Sequence, residues 1–95
     1  MEQKIELIHP AGKKAVSMDK QKYDLISNAL FSHIKTSGNA THTEMLKSIS
    51  DDFIKNNIEF LGSLEWYLEW VKLDLEARNI IKRLDGTTPA KYSIT

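Results

Sequence analysis

The chain has no cysteine among its 95 residues, which rules out disulfides and thiolate metal sites and leaves packing and hydrogen bonds to hold the fold. Proline occurs twice and glycine four times, too few for a linker or a low-complexity tract, and no internal repeat is visible. No apolar run approaches the roughly 20 residues that cross a bilayer. The opening MEQKIELIHP lacks the apolar core and small-residue cleavage pattern of a secretory signal. A cytoplasmic location without a membrane span is the expectation. Thirteen basic residues balance thirteen acidic ones, so no global field draws the protein onto nucleic acid or anionic lipid.

Charge is sorted along the chain. Lys4, Lys13, Lys14, Lys20 and Lys22 outnumber Glu2, Glu6 and Asp19 near the start, and Lys82, Arg83 and Lys91 outnumber Asp85 near the end. The middle is acidic. The length suits one domain over residues 1–95 with a modest core: strands or a turn over 1–18, a helical core over 19–78 and a hairpin over 79–95.

Ile5 and Leu7 alternate with charge in KIELI, HPAGK reads as a turn, and KAVSM can return as a short second strand. Ser17 or Asp19 can cap a helix running to about Thr36, on which Tyr23, Ile26, Leu30 and Ile34 form one apolar stripe. Gly38 supplies the left-handed stop. Thr41 and Glu44 form a capping box that opens a short second helix, MLKSIS, with Met45, Leu46 and Ile49 inward. The segment DDFIKNNIEF reads as a connection with one helical turn around Phe53 and Ile54, broken by Asn56 and Asn57. Ser63 caps a third helix that continues through Arg78, and Asn79 ends it. Ile80 and Ile81, a turn signal at Asp85 and Gly86, and the run Lys91, Tyr92, Ser93, Ile94 then predict a hairpin.

Helix, short capped helix, longer helix and hairpin, in that order over roughly residues 23–95, resemble a winged helix-turn-helix domain. The likeness is most specific at its end. There LDLEARNIIKR followed by YSIT is similar to that family's leucine-bearing helix end, glycine-like stop (here Asn79), paired aliphatics, basic residue and closing wing strand. The whole chain also resembles small uncharacterised bacterial proteins of about this length. The winged-helix resemblance implies an α+β fold of three main helices with a C-terminal β-hairpin wing, to which the first segment adds a short N-terminal hairpin. It places residues 63–78 where DNA-binding members carry the recognition helix.

Projected at about 100° per residue, that helix has two apolar faces. Leu64, Leu68, Val71 and Leu75 form the core stripe; roughly opposite lie Trp66, Trp70, Leu73 and Ala77, flanked by Glu65, Glu69 and Glu76. Lys72 is placed to pair with Glu69 and Glu76, and Asp74 with Arg78. Phosphates favour cations and base edges favour arginine, lysine, asparagine and glutamine, so this acidic, aromatic helix disfavours nucleic acid. For Trp66 and Trp70 three readings stay open: burial beneath the N-terminal strands, burial against a second copy or another protein, and exposure for a ligand.

The three glutamates read as a solvated face ahead of a cation site, and His9, His33 and His42 are scattered. No paired nucleophile and base, phosphate loop or metal-spaced cluster stands out. The expectation is a non-enzymatic protein with no metal and no cofactor, acting through a protein partner or a homodimer contact on the Trp66, Trp70, Leu73, Ala77 face. The alternative is a DNA-binding regulator in which Lys82, Arg83 and Lys91 of the wing, with Lys13 and Lys14, touch phosphates. Against it, lysines on a hairpin also guard an open strand edge from pairing.

Overall fold

The alternating first segment forms β1 (Lys4–Glu6), paired antiparallel with β2 (Ser17–Asp19) in the register Lys4↔Asp19, Ile5↔Met18, Glu6↔Ser17. These elements come from a computed structural model that describes residues 3–14, 16–84, 86 and 88–95. Met1, Glu2, Ala15 of the expected KAVSM strand, Asp85 of the expected turn and Thr87 lie outside the described residues. Ser17 sits in a strand and does not cap α1 (Lys20–Ser37). Asp19 takes the N-cap position, but its side chain makes no capping hydrogen bond. The Lys20 amide instead donates to the Gln3 carbonyl at 2.8 Å, so strand pairing satisfies a group that a side-chain cap usually serves. Tyr23, Ile26, Leu30 and Ile34 are buried along one stripe of α1. Gly38 stops the helix at φ 85°, its amide on the Ile34 carbonyl at 2.7 Å.

Two further features depart from the expectation. β3 (Ala40–Thr41), a strand of two residues, pairs antiparallel with β5 (Lys91–Ile94) through Ala40↔Tyr92 and Thr41↔Lys91; two residues are too few for alternation to show in a sequence. The second helix is also longer than MLKSIS, since α2 spans His42–Lys55. Its capping box forms as predicted: the Glu44 amide donates to Thr41 Oγ1 at 3.1 Å and the Thr41 amide to Glu44 Oε1 at 3.0 Å. Phe53 then extends the row of Met45 and Ile49 by one more turn and is buried with them. Packing of that face carries the helix past Asp51 and Asp52, whose own helix propensity is poor. Asn56 closes it and Asn57 adopts φ 54°.

α3 (Leu64–Ala77) starts where Ser63 Oγ accepts the Trp66 amide at 3.2 Å, buries Leu68, Val71 and Leu75, and gives way at Asn79, φ 60°. β4 (Ile81–Arg83) then pairs with β5 in the register Ile81↔Ile94, Lys82↔Ser93, Arg83↔Tyr92, giving a three-stranded sheet in the order β3-β5-β4. α1 packs on both α2 and α3. Among the described residues three helices with two small antiparallel sheets make up the α+β arrangement expected. No helix among the described residues is long and apolar enough to cross a membrane.

Candidate functional site

Two internal anchors fix α3 and decide which of its faces looks outward. The first is Asp74, fully buried on the flank nearer the N-terminal segment. Its Oδ1 accepts the Ile8 amide at 2.8 Å, its Oδ2 accepts the Tyr23 hydroxyl at 2.5 Å, and Arg78 Nε donates to both oxygens at 3.0 and 2.9 Å. Arg78 Nη2 continues to the Glu6 carbonyl at 3.2 Å. Charge-assisted bonds of this kind are the strong ones. Burial first, then the bond to Asp74, push the Tyr23 hydroxyl pKa well above its ordinary value. The Asp74–Arg78 pair follows from helix spacing. Ile8 and Tyr23 stand 66 and 51 residues from Asp74, and no local pattern announces them.

The second anchor is Lys72, on the opposite flank. It is only 5% exposed, with Nζ at 3.1 Å from Glu69 Oε2, 3.3 Å from His42 Nδ1 and 4.9 Å from the centre of the Tyr92 ring. The expected second pairing, with Glu76, does not form, because the side chain turns inward against the start of α2 and the central strand β5. Neither Glu65 nor Glu76 makes a side-chain hydrogen bond or ion pair with any described residue.

This setting lowers the His42 pKa from 6.5, chiefly through burial and then through Lys72, with Glu69 and Glu65 pulling the other way. The unfolded chain therefore takes up the His42 proton at higher pH than the folded one. Stability from this group is complete above about pH 6.5 and is lost as pH falls through the lowered folded value. Chemical denaturation between pH 7.5 and 5 should show a steeper acid-side loss for the native chain than for His42→Gln. Parallel curves would mean that His42 does not couple to folding.

Between the anchors runs the outward row of Trp66, Trp70, Leu73 and Ala77. Trp66 is 44% exposed, while the other three are half-buried. The Trp70 ring meets the edge of His9 at 6.2 Å between centroids, so the N-terminal arm covers part of that tryptophan. Trp66 lies 5.0 Å from Tyr67 and 6.4 Å from Trp70, and it is the one exposed large aromatic among the described residues. Tyr67 is braced by Phe60 at 5.1 Å and by the backbone of Gly62. At that glycine φ is 103°, and a Cβ would meet Tyr67 Cε2 at 3.1 Å, so both conformation and space call for glycine. Ile8, beside His9 in the sequence, adds a 46% exposed aliphatic. Sequence periodicity picks out the row, and cover by the N-terminal segment, one of the three readings left open, is met in part, at Trp70.

The candidate cations are divided between different elements. Lys13 and Lys14 are exposed in the β1–β2 connection, Lys82 and Arg83 on β4, and Lys91 is half-buried on β5. Because strand side chains alternate, Lys82 shares a face with its partner Ser93 and with Lys91, whereas Arg83 falls on the face of Ile81 and Tyr92. The histidines also separate. His9 meets Trp70, His42 meets Lys72, and His33 lines a polar groove between α1 and α2 with Ser32, Ser48 and Asp52, none of which it hydrogen-bonds. Among the described residues no group of three or more His, Cys, Asp or Glu could hold a metal ion.

These features define an α+β domain whose polar interior is used to hold one helix, and whose conspicuous surface is that helix's outward row. The chain belongs to a family of unknown function, DUF6958, whose profile matches residues 4–92. No curated protein and no solved structure gives a significant match.

Proposed function

We propose that the chain is a non-enzymatic, winged-helix-like domain that works through protein contacts made by the outward face of α3, with Trp66, Trp70, Leu73 and Ala77 as the contact row. The exposure of Trp66 carries this reading: a tryptophan left 44% open, with a second one only partly covered beside it, presents the residue type most enriched at the energetic centres of interfaces. The order of elements supports the winged-helix part. A strand between α1 and α2 joins the C-terminal hairpin, and α3 leads directly into that hairpin. The absence of catalysis is supported by how the polar groups are used, since Asp74 and Lys72 are both engaged in holding α3. The acidic flank of α3 and the division of the cations between elements weigh against a DNA-reading role.

The test isolates Trp66 in a Trp70→Phe chain and measures iodide and acrylamide quenching together with mass in solution. The expected outcome is ready quenching in a monomer, or strong protection that appears only as the mass rises. Both tryptophans shielded in the native chain as a demonstrated monomer would mean that the fold itself covers the face, and the reading would fail.

A further inference from the structure

We propose that the occupant of the α3 face is an amphipathic helix carrying cations along one flank, which deepens the protein-contact reading above and rests on it. The row from Trp66 to Ala77 covers three helical turns, about 16 Å at 1.5 Å per residue. A straight row of that length is matched by the apolar stripe of another helix, with anchors at three- and four-residue spacing. The rim of the row carries charge without a hydrogen-bonded partner on one side only. Glu65 and Glu76 stand on the same edge, also three turns apart, and neither makes a side-chain hydrogen bond or ion pair with a described residue, while Glu69 between them is held by Lys72. On the other edge Asp74 and Arg78 are satisfied within the fold. Charge complementarity therefore calls for two lysines or arginines about three turns apart on the flank that meets Glu65 and Glu76, and for no charge on the other.

A second copy of the chain packed through antiparallel α3 helices fits this rim poorly. In a two-fold pair with antiparallel α3 helices, symmetry brings the acidic edges of both copies to the same side, glutamate against glutamate. A nucleic acid would set phosphates against the same carboxylates.

Two synthetic peptides of about eighteen residues, roughly five turns, test the proposal. They share leucines at the four-three-four spacing of the row and differ only in lysine or glutamate at two flank positions eleven apart. Each is titrated into the native chain at low and moderate salt, with tryptophan emission as the signal and sedimentation for mass. The lysine peptide should shift the emission to the blue and bind at least about tenfold tighter than the glutamate peptide, an advantage that salt reduces. In the Glu65→Lys, Glu76→Lys double variant the preference should reverse. Equal binding of both peptides would overturn the cationic partner and leave the contact face standing. Binding of neither would overturn the proposal too, with the contact face then judged by the quenching and mass measurements alone. Self-association that buries Trp66 without peptide would make a second copy the occupant and overturn it as well.

Discussion

Replacing Asp74 by alanine should lower the stability of the domain by about 3–5 kcal/mol, since it removes several hydrogen bonds to a charged acceptor, each worth about 1.5–3 kcal/mol. The carboxylate is fully buried and gathers the Ile8 amide, the Tyr23 hydroxyl and the Arg78 guanidinium. Without it, the buried Tyr23 hydroxyl is left without an acceptor, a desolvation cost without return, while the Ile8 amide and the partly exposed Arg78 lose a charged partner. A domain of this size has roughly 5–15 kcal/mol in total, and each kcal/mol moves its melting temperature by about 4–8 °C. The variant should therefore melt more than about 12 °C lower, or fail to fold at 37 °C. Tyr23→Phe removes a single bond to a charged acceptor and should cost about 1.5–3 kcal/mol, clearly less. Should Asp74→Ala cost under about 1 kcal/mol in urea titrations, the cluster would be incidental to the fold.

A comparable loss, about 3–5 kcal/mol, is expected for Phe53→Ala. Phe53 is buried in the last turn of α2, its carbonyl accepts the Ile58 amide at 2.8 Å, and its ring stacks on Phe60 at 5.8 Å. Deleting the ring empties part of the core and removes the support beneath Phe60, against which Tyr67 rests at the start of α3. Phe53→Leu, which refills most of the volume, should cost about 1.5 kcal/mol or less. Urea midpoints measure both. Near-equal effects of the two substitutions would show that the aromatic stack, and not filled volume, holds the end of α2. The α2 residues that the polar run Asp51–Asp52 disguises in the sequence are thus expected to be among the most sensitive.

That contrast explains which parts of the molecule can be read from the chain. The stripe of Tyr23, Ile26, Leu30 and Ile34, the capping box at Thr41 and Glu44, the Ser63 cap and the Asn79 stop are local, and each leaves a signature within a few residues. The same holds for the Trp66, Trp70, Leu73, Ala77 row, which is a matter of helical spacing. The end of α2 depends on what Phe53 packs against, and tertiary packing overrides propensity there. β3 is too short to carry a pattern. Lys72 illustrates the limit most clearly: spacing alone offers it Glu69 and Glu76, whereas its surroundings include His42 and Tyr92, 30 and 20 residues away in sequence. The sequence therefore points to the candidate face, while the anchors that orient it become visible only in three dimensions.

The two anchors also bear on speed. A helix held on one flank by Asp74 and on the other by Lys72 has little freedom to reshape, so association with the proposed partner would resemble two rigid bodies colliding in the correct orientation, typically about 10⁵–10⁷ M⁻¹s⁻¹. On such a surface Glu65 and Glu76 would act on the approach, through long-range attraction that salt screens. Trp66 would act on the residence time, through the contact that must break before separation. Charge substitutions on α3 would then change how fast a complex forms, and aromatic substitutions how long it lasts.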